Sequence, residues 1–371
     1  MKNIVSIAPY TYLPANTGGR RGIAIFYRFF SKHFTINCIT TKDTDASLEN
    51  NYNILPVLSN SPLRYVNPLN IFRIKKILKE TNANVLIIEH PYFGWLGYAL
   101  KKLTSCKLIV HSHNIESTRF KEMGKWWWRI LWQYEKFTYN IADHVFFITD
   151  EDKMFAVNHY GLSSSKGTTI TYGFEFGGKP SAEEKNEARH YLCHKHNISE
   201  GEHILLFNGV LDYTPNKQAI TNIINHINPL LAEKNWPYKI IICGKNLPQE
   251  FNEFRGITNI IYAGFVDDIS LYFKGADIFI NPVIDGGGIK TKLVEALGAN
   301  LTAVSSKKGA IGVPQEITNN KLTIVPDNDW QLFTEAIIQS NISDNTPQSF
   351  YDHFYWENIC QKAALVINTS L

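Results

Sequence analysis

Between residues 281 and 300 the chain reads NPVIDGGGIKTKLVEALGAN. Gly286, Gly287 and Gly288 let main-chain N–H groups approach an anion closely. Lys290 and Lys292 bring positive charge to the same place. ADIFINPV ahead of them reads as a strand and KTKLVEALGA as a helix, with Leu293 and Leu297 one turn apart on its buried face. The glycines are therefore a strand-to-helix turn, and the positive end of the helix adds to the lysines. Glu295 falls on about the same helix face as Lys292 and Gly288. Cations for phosphate beside a carboxylate for sugar hydroxyls are the equipment of a nucleotide-sugar site. A P-loop is excluded, because Ile289 stands where the glycine before the lysine is required. The structural alternative is a tight turn with solvated lysines. Against it, further glycine loops follow other apolar runs: FNGVLDYTPN (Gly209, Asn216), CGKN (Gly244), AGFVDD (Gly264) and KKGAIG.

Those runs are the elements that must position the turn. NIVSIAPY, FTINCIT, VLIIEH, KLIVHSHN and HVFFITD in the first half, then HILLFNGV, KIIICG, NIIYAGF, ADIFINPV and LTAVSS in the second, are continuous apolar or β-branched stretches. Strands of that kind belong to parallel sheets covered on both faces. Alternation with helix-length segments predicts a doubly wound α/β fold. A polar, charged stretch around 172–201 interrupts the pattern, so two α/β domains joined near residue 175 are expected, with the ligand in the cleft between them. At 371 residues the chain exceeds what one core ordinarily supports.

Composition narrows the function. With 44% hydrophobic and 19% charged residues the chain is globular. A net charge of +3 is too small to indicate nucleic acid. No apolar run reaches the roughly 20 residues of a membrane span, and the N-terminus reads as a strand and not as a signal peptide. Five scattered cysteines without a Cys-x-x-Cys pair fit reduced thiols in the cytoplasm. LCHKH (192–196) packs its ligand types too closely on one helix to surround an ion.

NGVLDYTPN, CGKN, the run from AGFVDD to EALGAN, SSKKGAIGV and the late YWENIC resemble, in order and spacing, glycosyltransferase family 4, the group 1 transferases of the GT-B fold. The resemblance extends from TGGRRG to near the C-terminus and is densest over 264–312. It implies two facing Rossmann-like domains with a central cleft: an acceptor-binding domain at 1–174, a linker at 175–200 and a nucleotide-sugar domain at 201–351, with a terminal helix at about 352–371 packing back on the first. It also implies sugar transfer with retention of configuration and no metal cofactor. Glu295 matches the second member of the family's paired glutamates, which binds ribose hydroxyls. The first would fall at Gly287, so the chain resembles a glycine-rich subgroup in which Gly286 to Lys290 hold the donor by main chain, with Asp285 adjacent. Lys217 matches the phosphate-contacting lysine, while Val210 replaces an arginine and Lys292 is left to supply the second charge.

In the first domain, Gly18 and Gly19 match the family's flexible first loop, with Arg20 beside them. His113 matches a histidine near the reacting sugar, with His111 as its support. Glu89 and His90 end a strand and are acceptor-side candidates. Residues Lys121 to Phe137 (KEMGKWWWRILWQYEKF) read as one helix on which Lys125 and Arg129, and Trp128 and Trp132, lie a turn apart. Tryptophan beside basic residues makes this a candidate for peripheral contact with the inner membrane face; the alternative is packing within the domain. The expected activity is metal-independent transfer from a nucleotide-diphosphate sugar to a glycan or polyprenyl-linked acceptor in surface polysaccharide or glycoprotein glycan synthesis. Two alternatives stay open. One is a catalytically weak nucleotide-sugar-binding protein, suggested by Gly287 and Val210. The other is a GT-B sugar-nucleotide epimerase, which needs no glycosyl acceptor.

Overall fold

Seven parallel strands form the sheet of the first unit: β1 Asn3–Ile7, β2 Thr35–Thr41, β3 Asn53–Leu58, β4 Val85–Glu89, β5 Lys107–Ser112, β6 His144–Phe147 and β7 Gly167–Thr169. Six more form the sheet of the second: β8 His203–Val210, β9 Tyr238–Lys245, β10 Ile260–Gly264, β11 Ile278–Asn281, β12 Thr302–Ser306 and β13 Leu322–Val325. These come from a computed structural model that describes residues 2–15, 18–175 and 178–370. The strand orders are β3-β2-β1-β4-β5-β6-β7 and β10-β9-β8-β11-β12-β13. Both are the doubly wound order, in which the chain reverses direction beside the first strand of each unit. The α/β class and two-domain GT-B architecture read from the sequence are what the chain adopts.

Central strands explain themselves. Every residue of β4 (VLIIE) and of β11 (IFIN) is buried, because helices cover both faces and leave no position for a solvated side chain. Each fully buried Leu, Ile or Val contributes roughly 1.5–3 kcal/mol. Leu86, Ile88, Leu108 and Val110 share one core with Phe93 and Leu96. Leu205, Phe207, Ile240, Ile242, Ile278 and Ile280 form the counterpart in the second unit.

One compact unit comprises Met1–Glu175 with Tyr355–Leu371, the other Phe176–Phe354. The helix Trp356–Ser370 lies on the helix Gly18–Phe30, with the Trp356 and Phe26 rings 6.4 Å apart. The segment 175–200, in which Phe176 and Gly177 lie outside the described residues, is mostly the helix Ala182–His196. Ser181 and Glu184 start that helix as a reciprocal capping box. Arg189 anchors it to the second unit through both oxygens of Asp277, at 2.7 and 2.6 Å.

Two local expectations are corrected. Gly18, Gly19 and Arg20 are not a loop: they open the helix Gly18–Phe30, whose buried face (Gly22, Ile23, Phe26, Tyr27, Phe30) holds it to the sheet. The stretch 121–137 is not one helix. Glu116–Glu122 and Trp128–Ile141 are separate helices, broken at Gly124, whose φ of +69° is left-handed. Lys125 therefore does not share a helix with Arg129, while Trp128 and Trp132 do share one.

Candidate active site

In the second unit the glycine turn follows β11 at the reversal point beside β8. Gly286 (φ +80°) and Gly288 (φ +70°) adopt left-handed conformations, which a side chain would strain. A Cβ on Gly286 would also sit 3.1 Å from Pro215, whereas one on Gly287 would meet nothing within 4 Å. The turn thus packs against the start of the helix Thr214–Asn222 and leaves Gly287 facing open space. Lys290 is not a solvated lysine. Its Nζ donates to the carbonyls of Gly286 (2.6 Å), Gly287 (3.2 Å) and Gly288 (3.1 Å), closing the turn around its own cation. Asp285 Oδ1 accepts from the Gly286 N–H at 2.7 Å.

Lys292 sits in the first turn of the helix Thr291–Gly298. Its Nζ donates to the Asn208 carbonyl at 3.1 Å and to Asn216 Oδ1 at 2.8 Å, and lies 4.2 Å from the centre of the Phe207 ring. Withdrawal from water, with a smaller contribution from Lys290, pulls its pKa down to about 7. This is an ammonium held by neutral oxygens. Asn216 is the hub: its amide also donates to the Val210 carbonyl at 2.9 Å. It is an internal support more than a surface for ligand.

Gly209 and Gly244 face each other across β8 and β9. A Cβ on Gly209 would lie 2.6 Å from Asn216 Nδ2, and one on Gly244 would lie 1.9 Å from the Gly209 carbonyl. Both are glycine because backbone and Asn216 fill the space. Gly264 (φ +71°) is a conformational requirement with nothing nearby. Lys217, on the helix Thr214–Asn222, is part-exposed and pairs with Glu250 at 3.0 Å. Glu295 is half-buried on the helix that carries Lys292. Ile289 lies beside the helix start and is half-buried.

The first unit gathers a second group at the ends of β4 and β5. Glu89 pairs with His111 in register, and His113, two residues on, stays on the same face. Glu89 is wholly buried. Its carboxylate lies 3.1 Å from His111 Nδ1 and 2.5 Å from His113 Nε2, and it accepts from the Tyr27 hydroxyl. Burial alone would raise its pKa; the two imidazoles outweigh that and hold it well below the usual carboxylate range. His90, also buried, has Nδ1 3.1 Å from Glu116 and Nε2 2.9 Å from the Tyr10 hydroxyl. Its ring stacks on His113 at 4.3 Å. Glu89 and His90, read as acceptor contacts, are thus spent on neighbouring side chains, and His113 is the more exposed of this group.

Sequence reading missed that Glu89, His111 and His113 meet. One side-chain nitrogen or oxygen atom of each lies within 4.8 Å of those of the other two. The available signal was that both segments end apolar strands and that His111 and His113 are spaced to share a face.

Comparison with known proteins decides the identity. Residues 202–340 match the family described as glycosyl transferases group 1, and residues 19–175 match Glycosyltransferase Family 4. This chain belongs to the group 1, family 4 glycosyltransferases.

A protein of the Klebsiella pneumoniae cps region, described as uncharacterized and of 44.6 kDa, is 30% identical to this transferase over 149 residues, or 38% of this chain and 37% of that protein. Among solved structures, Anabaena Alr3699/HepE in complex with UDP superposes with a TM-score of 0.75 at 14% identity over the whole of both chains. The same protein is also known with UDP-glucose. The lipopolysaccharide outer core galactosyltransferase WaaB superposes with a TM-score of 0.68 at 12% identity, again over both whole chains. At such identities these structures speak for the fold of this transferase, and its site rests on the geometry above.

Proposed function

We propose that this transferase moves a sugar, with retention of configuration, from a nucleotide-diphosphate sugar to a glycan or polyprenyl-linked acceptor in surface polysaccharide or glycoprotein glycan synthesis, without a metal cofactor. The observation that carries the donor half is Lys292. A withdrawn ammonium with only neutral oxygen partners is costly, and a diphosphate would supply the missing anion. The starts of the helices Thr214–Asn222 and Thr291–Gly298 carry no side-chain cap, so their first N–H groups add to the same field. Lys217 and the Gly287 main chain are the further donor contacts in this reading, and Glu295 takes the ribose. As the bond to the leaving diphosphate breaks, these groups stabilise the charge that develops on it. The UDP-bound and UDP-glucose-bound relative makes uridine the first base to try.

The test is a thermal-shift series with UDP, GDP, ADP and CMP and their sugar conjugates, on wild type and Glu295→Ala. One nucleotide should raise the melting temperature of wild type, and the shift should be lost in the variant. No shift with any of them would remove the donor reading.

The acceptor half extends to a membrane surface. Trp126 is 81% and Ile130 66% exposed, with Met123 beside them in the sequence and also exposed. Lys121 and Arg129 lie 4.9 and 5.4 Å from the Trp128 ring, and Lys125 is exposed in the break between the two helices. Among the described residues no helix is long and apolar enough to cross a membrane. Apolar side chains ringed by lysine and arginine suit the surface of an anionic bilayer. The protein should sediment with phosphatidylglycerol vesicles at low ionic strength and be released by salt, and Trp126→Glu should weaken that binding. Failure of wild type to sediment would refute membrane contact and leave the donor site untouched.

A further inference from the structure

An ionised carboxylate can only accept hydrogen bonds. Each of the three groups that meet Glu89 must therefore donate to it: the Tyr27 hydroxyl, His111 through Nδ1 and His113 through Nε2. For His111 this leaves Nε2 buried and without a hydrogen-bond partner, the less costly state when that nitrogen carries no proton. For His113 it leaves Nδ1 as the ring nitrogen available to another molecule. The ring has little room to turn. His90 stacks on it at 4.3 Å and 26°, and His111 is tilted against it at 4.8 Å. His90 is in turn braced between Glu116 and Tyr10.

We propose that Glu89 is a positioning residue for sugar transfer: it holds an Nε2 proton of His113 toward itself, so that Nδ1 is the ring nitrogen left to accept from a substrate hydroxyl. The arrangement parallels the way a buried carboxylate sets the tautomer of a catalytic histidine in hydrolases, here with one carboxylate serving two imidazoles. Glutamine at position 89 would offer one oxygen and one NH2 group. With the oxygen taken by Tyr27 and His111, the NH2 faces His113 Nε2, which must then accept. The proton moves to Nδ1, and the nitrogen offered to substrate becomes a donor. Side-chain volume hardly changes, so the effect is one of proton placement.

The experiment is long-range 1H–15N correlation of histidine side chains in the whole protein, with the His113 signals assigned by their loss in His113→Gln. Wild type should show His113 in the Nε2–H form and Glu89→Gln should show Nδ1–H. The kinetic arm, which rests on the transferase reading, is UDP-glucose turnover: Glu89→Gln should lower kcat by about 10²–10⁴-fold with KM changed less than about threefold. Glu89→Asp, which keeps the acceptor, should recover part of the loss. An Nδ1–H tautomer in wild type would overturn the proposal even if neither Glu89 variant folds. So would Glu89→Gln with wild-type kcat. Loss of turnover on chelation, restored by zinc, would instead place a cation among Glu89, His111 and His113 and would equally overturn it. Wild type inert toward UDP-glucose speaks against that donor alone, and the tautomer then decides the role of Glu89.

Discussion

Lys292→Met should lower sugar-nucleotide turnover by at least about 10²-fold and abolish the stabilisation that the donor gives, while the protein stays folded. The Lys292 ammonium is held by neutral oxygens, which leave its charge uncompensated. Methionine keeps most of the volume and the contact with Phe207. Two effects on stability oppose each other: a desolvated charge is removed, and the Asn208 carbonyl and Asn216 Oδ1 each lose a donor, at about 1–3 kcal/mol per orphaned group. The net change in melting temperature should be small. Binding will carry a pH signature.

In the folded chain Lys292 loses its proton at about pH 7, against an unperturbed 10.5. Between those values the unfolded chain holds a proton that the folded chain has released. Its contribution to the stability of the ligand-free protein therefore rises as pH climbs from about 7 to 10.5. A diphosphate favours the charged form and reverses the trend. UDP-glucose, whose diphosphate has no proton to lose near neutrality, should bind more tightly below about pH 7 than two units above it. Isothermal titration of wild type and Lys292→Met across that window checks both points; equal, pH-independent affinity in the two proteins would refute the role of Lys292.

Gly244→Ala should be the most damaging of the glycine substitutions. Its Cβ would be 1.9 Å from the Gly209 carbonyl and 2.9 Å from Leu211, at a φ of +152°. The obstacle is main chain of a paired strand, so relief requires β8 and β9 to part at the end that holds Asn208 and Val210. A cost of about 3 kcal/mol or more is expected from strain of this kind. In a unit of this size that corresponds to a fall of roughly 6–12 °C in melting temperature. Calorimetry checks it, and a melting temperature within a degree of wild type would show that the strands can yield. Because β8 carries the Asn208 carbonyl that holds Lys292, donor binding should weaken in parallel.

Much of the fold could be read from residue order. The strands found in advance are those whose apolar runs are unbroken because helices bury both faces. The three missed, β3, β7 and β13, are all at sheet edges. Pro56 interrupts β3, which an edge tolerates because one side of the strand has no ladder to lose. β7 is three residues long. The glycine turn with Lys292 and Glu295 was legible because its parts are local. Two things were not. Gly209 and Gly244 looked like openings for ligand; only the pairing of β8 with β9 reveals that neighbouring atoms fill the space. The meeting of Glu89 with His113 depends on which strands pair and in what register, information that no single segment holds. The aromatic stretch misled because a helical period continues across Gly124 while the backbone does not.

The return of Tyr355–Leu371 to the first unit has a consequence for the order in which the protein can be finished. During synthesis, Phe26 and Tyr172 are made long before Trp356, the side chain that packs against both. The whole of Phe176–Phe354 must be translated in between. The second unit can therefore complete its own sheet while the first still exposes the apolar face that its last helix will cover. The unit that opens the chain is begun first and sealed last.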